Sequence, residues 1–562
     1  MGGRETPTLR QRALRRLSSH PSRAANDRLT IGPRLWIASL ATEAGGVLAM
    51  AFARGSEGLL MAGCALVVAG GGLRRRLLLA WFVVVGVLAV LLLEGIHRSG
   101  RWWVAVAIGL VVVLAAWGDV TVMPTAGRLR SALRVGALAL GGVFAVGLTI
   151  ELLAGASPSR ASLRAALRMT VLRMLGADVQ PVATGVTAHW MALGVPVAAA
   201  LAGLGALVIA LLPAPDVAEV DEAVRRRVAA LCALPDSDSL APFTRRRDKS
   251  YVFSADGRAV IGYRVVVGVC IAGPGPVGAP ESWPDAMAAF VRRCNERGWR
   301  PAMIGASDDG RRLAQSLGLK GIHIGDEAVV STVGYRLDLP AMRNVRQAVQ
   351  RTRNAGVEVT VGHEGELSRK TREALGGVVD DWRRGAGELG FAMTLDGLLQ
   401  NVYPDALVVV AHHGGRPVGF QRYVSCRGGS CLSLDVMPRL RHAPNGVNER
   451  LIIETIAWGV DHDVNRLSLN FAAFRTLFES PNSVTRRLLR WTVHRLDPFI
   501  NVESLYRFNA KFRPQWVPRH VLYRSVFDLP FVIHAALRVE FGTDDARADQ
   551  AAAAEVAMRA HS

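Results

Sequence analysis

Ser433-Leu-Asp-Val-Met-Pro-Arg-Leu-Arg-His-Ala-Pro-Asn-Gly-Val-Asn-Glu449 is the stretch on which the reading of this chain turns. It passes from a strand over 431–436 through a Pro/Asn/Gly turn into a helix over 446–461, and carries Asp435, Arg439, Arg441, Asn445 and Glu449. A second stretch, Glu503-Ser-Leu-Tyr-Arg-Phe-Asn-Ala-Lys-Phe-Arg-Pro-Gln-Trp516, sets Glu503, Tyr506, Arg507, Asn509 and Lys511 among aromatics just before the chain turns extended.

Around these stretches, strands and helices alternate from about residue 216. Tyr251-Val-Phe-Ser, the turn Ala-Asp-Gly-Arg and Ala259–Val267 give a strand–turn–strand signal. A glycine-ended helix over 284–298, a strand over 301–304 and a helix over 310–317 follow, and Val357–Val361 opens a second round. Helix 365–386, strands 406–412 and 417–425 about Gly414-Gly415, and strand 431–436 belong to that round. Helix 446–461, strand 467–470, helix 483–494 and strand 519–524 complete it. Two rounds of mixed α/β text predict tandem domains of one layered class, 216–365 and 366–535, the second of them catalytic. The order strand, strand, strand, helix, strand, helix, strand resembles the GNAT acyltransferase fold. In that fold a Gly-rich loop at a helix N-terminus cradles the CoA pyrophosphate. Here Arg439-Leu-Arg-His-Ala-Pro-Asn-Gly446 stands in its place, and only Gly446 could serve. A CoA-dependent acetyltransferase is therefore disfavoured and no cofactor is expected, the fold being kept while the donor changes.

Before Pro213 the text is different. Long runs nearly free of charge predict an all-α transmembrane bundle of about six helices within 35–212. The spans fall at 35–53, 58–73, 77–96, 102–122, 135–155 and 190–212, most of them long enough for about 30 Å of hydrocarbon. Arginines cluster in the basic tail 1–34, at 74–76, at 128, 130 and 134, and at 225–227, which places both termini in the cytoplasm of a cell-membrane protein. Residues 156–189, with Arg160, Arg164, Arg168 and Arg173 among leucines, read as an amphipathic helix on the membrane surface. Glu43 and Glu151 are intramembrane carboxylates, on which an alternative function rests: a lipid flippase or transporter with regulatory cytosolic domains. The plainer reading has Glu151 at an interface and Glu43 bonded to a neighbouring helix. Residues 536–562 read as a disordered Ala-rich tail.

The chain has 562 residues, 67 Lys+Arg against 47 Asp+Glu, a formal net charge of +20 and a mean hydropathy of +0.23. Such a balance suits cytoplasmic loops, anionic lipid headgroups and RNA phosphates. The six cysteines form no C-x-x-C pair and have no His at zinc spacing, so no metal is expected. Cys426 and Cys431 read as a reduced core pair across a Gly-Gly hairpin.

The Asp-x-Met…Pro-Asn-Gly turn and the Lys-Phe-x-Pro-x-Trp pattern ending at Trp516 resemble the C-terminal synthase domain of the phosphatidylglycerol lysyltransferase (multiple peptide resistance factor) family. That resemblance covers most of 240–530. It implies a membrane-bound transferase moving an aminoacyl group from aminoacyl-tRNA to the hydroxyl of an anionic lipid, phosphatidylglycerol or similar. It also implies a change of envelope charge and resistance to cationic peptides. The partners expected are charged tRNA, lipid and membrane, with no DNA; a homo-oligomer is allowed. No synthetase domain follows, so the amino acid is expected to arrive ready-charged and lysine is not implied. Pro438 departs from the family's pattern, and six spans resemble only the later part of its flippase portion.

Such a transfer needs recognition of an ammonium, stabilisation of charge at the carbonyl oxygen, a proton relay and a surface for RNA phosphates. Asp435 and Glu449 are placed in one cleft to accept from the α-amine; alone, each also reads as a turn or helix-end carboxylate. Lys511 and Arg507, at i, i+4, can hold a terminal phosphate or the oxyanion, or form a solvated face. Asn470 is a candidate carbonyl donor, or a buried amide satisfying backbone. Glu503 completes the candidate catalytic set, and Arg439, Arg441, Asn445, Tyr506, Arg343 and Arg346 form the substrate-binding set. Tyr506, Phe508, Phe512 and Trp516 read more simply as core. Arg343, Arg346, Gln350 and Arg353 make a basic helical stripe suited to phosphates or to a membrane face. His412-His413 reads as a hairpin end.

Overall fold

A computed structural model describes residues 33–51, 57–97, 102–120, 122, 126–154, 160–175, 186–213, 216, 220–383, 393–471 and 502–541. They divide into two compact units, one within Arg23–Pro215 and the other mainly from Asp216 onward.

The first unit holds α1 (Pro33–Ala51), α2 (Glu57–Arg74), α3 (Leu78–His97), α4 (Trp103–Ala115), α5 (Ala126–Ala154), α6 (Arg160–Met174) and α7 (Val186–Leu211). Each expected span overlaps a helix among the described residues. Leu78–His97, Arg128–Leu153 and Gly194–Leu211 are long and apolar enough to cross a membrane; Leu59–Arg74 and Trp103–Ala115 are apolar but shorter. The expected span over 102–122 is cut short because the chain leaves α4 through a 3-10 turn, Trp117–Asp119. Small residues let α1 and α2 approach: a Cβ on Gly46 would lie 2.7 Å from the Gly63 carbonyl oxygen. Both of these carboxylates are paired. Glu43 meets Arg74 at 2.7 Å, and Glu151 meets Arg173, both of that second pair buried. Glu43 is thus bonded to a neighbouring helix, as the plainer reading has it, whereas Glu151 is buried against Arg173 of α6 rather than lying at an interface. Residues 156–189 do contain a helix, α6, which buries Thr170 and Arg173 and exposes Leu163 and Val171.

The second unit opens with α8 (Glu222–Cys232), β1 (Ser250–Phe253), β2 (Ala259–Val266), β3 (Val269–Ala272), β4 (Val277–Gly278), α9 (Trp283–Arg297), β5 (Arg300–Ala306), α10 (Asp308–Ser316) and β6 (Lys320–Ser331). It continues with α11 (Arg343–Asn354), β7 (Val357–His363), α12 (Arg369–Arg383), β8 (Leu407–His413), β9 (Arg416–Cys426), β10 (Cys431–Val436) and α13 (Val447–Asp461). β11 (Arg466–Phe471), α14 (Val502–Ala510), β12 (Gln515–Tyr523) and α15 (Leu529–Phe541) close it. Local chemistry sets the boundaries. The Ser307 hydroxyl accepts from the Gly310 amide to cap α10, and Gly414-Gly415, both at positive φ, turns β8 into β9. The strand expected over 259–267 instead reverses at Val267-Gly268, giving β3. Helix 483–494 lies outside the described residues, and 536–541 of the expected Ala-rich tail belong to α15.

The strands described here form one sheet in the order β1-β2-β3-β5-β12-β6-β11-β10-β9-β8-β7, with β4 beside β2. Outward from its middle the sheet reads alike in both directions. β12 is antiparallel to β5, and β5 parallel to β3; β6 is antiparallel to β11, and β11 parallel to β10. Each half lodges a strand in the other, because β12 lies between β5 and β6 while β6 lies between β12 and β11. The two rounds seen in the sequence therefore share one sheet rather than standing as separate layers. On one face Leu432, Leu434, Leu467 and Leu469 pack with α11 and α13; on the other, Leu240, Phe243, Leu395 and Tyr403 join α15 in a second core.

Candidate functional site

The parallel pair β10–β11 is in register at Cys431↔Arg466, Leu432↔Leu467 and Ser433↔Ser468, and no further, although both strands continue. β10 is irregular between Leu434 and Val436, and Asn470 on β11 takes φ 66°. The strands thus part at Ser433 and Ser468. Asn470 bridges the opening: its Nδ2 donates to the Leu434 carbonyl at 3.1 Å and to that of Met393 at 2.8 Å. Its amide satisfies backbone rather than standing free for a substrate carbonyl.

Side chains alternate along β10, so Leu434 faces α13 and Asp435 faces the other way. Asp435 is buried and accepts from the Leu395 amide at 2.8 Å and from Arg422 Nε. Arg422 Nη1 donates to Glu364 at 3.0 Å, and Glu364 accepts the Asn401 amide at 2.9 Å. All three charged side chains are buried. Burial pushes the Asp435 carboxyl up, opposed by Arg422 and the Leu395 amide. Ser433, on the same face, has a buried hydroxyl without a hydrogen-bond partner among the described residues. The segment supplying Met393, Leu395 and Asn401 is clamped by three consecutive arginines. Arg245 bonds Asp405 at 2.8 Å, Arg246 the Thr394 carbonyl at 3.0 Å, and Arg247 Asp396 at 2.8 Å. Nearby Lys249 is buried, donates to the Phe243 carbonyl at 3.0 Å, and is pushed down to about 7 by burial.

Glu449 lies across the sheet, in the first turn of α13, where Lys511 Nζ meets it at 2.8 Å. The expected shared cleft of Asp435 and Glu449 is thus not formed directly, because strand alternation and the helix place them on opposite faces. Glu449 and Lys511, by contrast, are brought together. Lys511 also lies over the Phe508 ring at 5.2 Å, and Tyr506 stacks on Trp516 at 4.6 Å. Between them, buried Asn509 reaches the Leu469 carbonyl beside the opening at 3.5 Å, and its Oδ1 has no hydrogen-bond partner among the described residues. Arg507 is exposed on α14, and Glu503 lies on the same helix.

The other expected residues spread outward. Arg439 is exposed and continues the β9 edge by a bridge to Gly419, Arg441 donates its amide to Asp381 at 3.1 Å, and Asn445 is exposed ahead of α13. Gly446 has φ 104°, and a Cβ there would come 2.9 Å from the Ala348 carbonyl oxygen, which accounts for the glycine in the turn. Arg343 is exposed at the start of α11, whereas Arg346 turns back to the Leu337 and Leu339 carbonyls at 2.5 and 3.3 Å. Sequence reading passed over Arg422 and Glu364. It also passed over a second buried network, where Arg519 meets Glu327 and Asp238 while Ser468 donates to Glu327. The signal available was a charge inside an otherwise apolar strand, which must find a partner.

Residues 229–523, just over half of the chain, match the family described as Phosphatidylglycerol lysyltransferase, C-terminal. Among curated relatives, the lysylphosphatidylglycerol biosynthesis bifunctional protein LysX of Gordonia bronchialis is 42% identical over 314 residues, which is 54% of this chain and 28% of that protein. LysX of Mycobacterium marinum is 38% identical over 309 residues, with the same two shares, 54% and 28%. The chain thus spans little more than a quarter of the length of these relatives. Of solved structures, L-PGS from Bacillus licheniformis aligns with a TM-score of 0.51 at 20% identity, over 57% of this chain and 98% of its own. The C-terminal domain of a putative lysylphosphatidylglycerol synthetase from Agrobacterium fabrum gives 0.51 at 21% identity, with the same coverage of 57% and 98%. Those structures share the GNAT-like α/β fold of the second unit. Over the region that contains the parted strands, the chain belongs to the phosphatidylglycerol lysyltransferase family.

Proposed function

We propose that this protein is a membrane-bound aminoacyltransferase that carries an aminoacyl group from aminoacyl-tRNA to a hydroxyl of phosphatidylglycerol or a similar anionic lipid. The observation that carries the reading is the family match over 229–523, which takes in the β10–β11 opening and the Glu449–Lys511 pair. The two halves of the sheet are tandem GNAT-like units, the second holding the site. Six spans keep both termini and the α/β unit on the cytoplasmic side.

In the reaction the lipid oxygen attacks the ester carbonyl carbon, a new ester forms, and the bond to the tRNA ribose oxygen breaks. The hydroxyl proton ends on that leaving oxygen. The donor's ammonium replaces Lys511 at Glu449, which frees Lys511 for the developing oxyanion. Asp435 acts from the far face, holding Arg422 and the Leu395 amide and so the segment whose Met393 carbonyl accepts from Asn470. The stacked Tyr506–Trp516 pair offers a surface for the terminal base, and Arg507, Arg439 and Arg343 offer charge for RNA phosphates. Adding a cationic amino acid to an anionic lipid would lower the negative charge of the envelope and repel cationic peptides. Membranes bearing the full chain, given each charged tRNA and labelled lipid, should yield labelled aminoacyl-lipid with at least one amino acid. No product with any of the twenty would refute the proposal.

A further inference from the structure

We infer that one end of the sheet docks on the bilayer interface itself, through the β2–β3 hairpin tip and the start of α15. Val267 and Gly268 form a two-residue turn, at φ 49° and 72°. Such a turn favours Asn-Gly, because a β-branched side chain is strained in the left-handed region. Position 267 nevertheless holds a valine, and it is 51% exposed. Neither the turn nor a core asks for an apolar side chain there, whereas apolar surroundings would.

The same end of the sheet gathers more apolar surface. The Arg300 amide donates to the Gly268 carbonyl at 2.9 Å, its Nε bonds Asp528 at 2.9 Å, and its guanidinium lies 3.9 Å over the Phe531 ring. Arg300 thereby ties the hairpin tip to the turn Val526–Asp528 and to α15. Val526, Phe527 and Phe531 are exposed there by 39, 54 and 41%. Further along the same side of α15, His534 and Arg538 are exposed. An apolar tip followed by basic groups is the chemistry of an element seated in the headgroup region of an anionic bilayer. A bilayer is the occupant this chain calls for: three of its helices are long and apolar enough to cross one, and its family is named for a transfer to a membrane lipid. The inference does not depend on the acyl donor or on Glu449 and Lys511.

The test uses the full chain reconstituted in vesicles of phosphatidylglycerol and phosphatidylcholine. Bimane is attached at Val267→Cys, Phe527→Cys or Val333→Cys, and the signal of identically treated wild type is subtracted. Val333 is a valine exposed by 70%, just past the end of β6. The opposite end of β6, at Lys320, pairs with Tyr523 close to the Val526 turn. A strand of 12 residues separates the two ends by roughly 40 Å. Brominated acyl chains should quench the probes at 267 and 527 at least twofold more than the probe at 333, with aqueous iodide giving the reverse order. Equal bromolipid quenching at all three positions would overturn the inference. Quenching of 267 and 527 by neither agent would overturn it as well, since protein, either a second copy or the chain's own helices, would then cover the patch. If Phe527→Cys fails to fold, Val526→Cys takes its place.

Discussion

Arg422→Met isolates the buried charge network beneath the parted strands. The substitution keeps much of the side-chain volume but leaves Asp435 and Glu364, both 0% exposed at the side chain, without their shared cation. Removing one partner of a buried ion pair costs about 3–5 kcal/mol, because the remaining charge stays desolvated. Each carboxylate keeps one backbone amide, from Leu395 at 2.8 Å and from Asn401 at 2.9 Å, which argues for the lower half of that range. In an α/β unit of this size, about 3–4 kcal/mol lowers the melting temperature by roughly 4–6 °C. The assay is thermal unfolding of the detergent-solubilised full chain, comparing Arg422→Met with Arg422→Met/Asp435→Asn/Glu364→Gln. The triple variant should recover most of the loss, since neutral carboxamide oxygens still accept from the same two amides. A single variant that melts within about 2 °C of wild type would refute the reasoning. So would a triple variant less stable than the single, because burial of unpaired charge would then not be the cause.

Lys511→Ala should lower turnover by about 10²–10³, the value of one charge-assisted contact in a closed site, with melting unchanged; near-normal turnover would move the site away from the Glu449–Lys511 pair. Arg343→Ala should weaken tRNA binding and flatten its dependence on salt, and an unchanged salt slope in filter binding would remove α11 from the RNA surface. Lys249 is held at about 7 in the fold and titrates at 10.5 when free, so the unfolded chain binds the extra proton between those values. Its burial therefore opposes folding in full below about pH 7 and ceases to do so as the pH rises towards 10.5. Lys249→Met should accordingly raise the melting temperature at pH 6.5 and lose that advantage at pH 10, and a gain independent of pH would contradict the assignment. Val267→Asn, which suits the left-handed turn, should stabilise the α/β unit by about 1 kcal/mol in thermal unfolding, while a loss of stability would mean the valine is packed rather than open.

Much of this architecture is legible in the text of the chain because hydrophobic period and glycine turns are local. The apolar helices of the first unit, the Gly414-Gly415 hairpin and the passage from strand 431–436 through Gly446 to a helix could all be read that way. β6 could not. Its stretch Ile322-His-Ile-Gly-Asp-Glu-Ala-Val-Val330 contains Asp326 and Glu327, and Glu327 is tolerated only because Arg519, 192 residues away, meets it inside the sheet. The Glu449–Lys511 pair was within reach, since both residues were candidates, but their contact spans 62 residues of sequence and only the fold supplies it. Asp435 reads from the sequence as a partner of Glu449 in one cleft, and its actual partner Arg422 reads as an ordinary outward strand position until the segment 393–405 is seen to cover it. Alternation along β10 then decides the rest, since one residue's difference in register separates the leucines from the carboxylate.

The reciprocal lodging of β12 and β6 has a consequence for biogenesis. On the ribosome β6 is complete at Ser331, but its neighbour β12 does not begin until Gln515. At about 5–20 residues per second, the edges of β5 and β6 wait roughly 10–40 s for the strand that belongs between them. During that interval the nascent N-terminal half presents two unsatisfied ladders next to a hydrophobic core, which is the situation chaperones are recruited to shield. A chain cut at the apparent boundary near residue 365 would never leave it. The halves of this sheet are therefore inseparable in manufacture as well as in form, and a gene fragment encoding either one alone should yield aggregate rather than a domain.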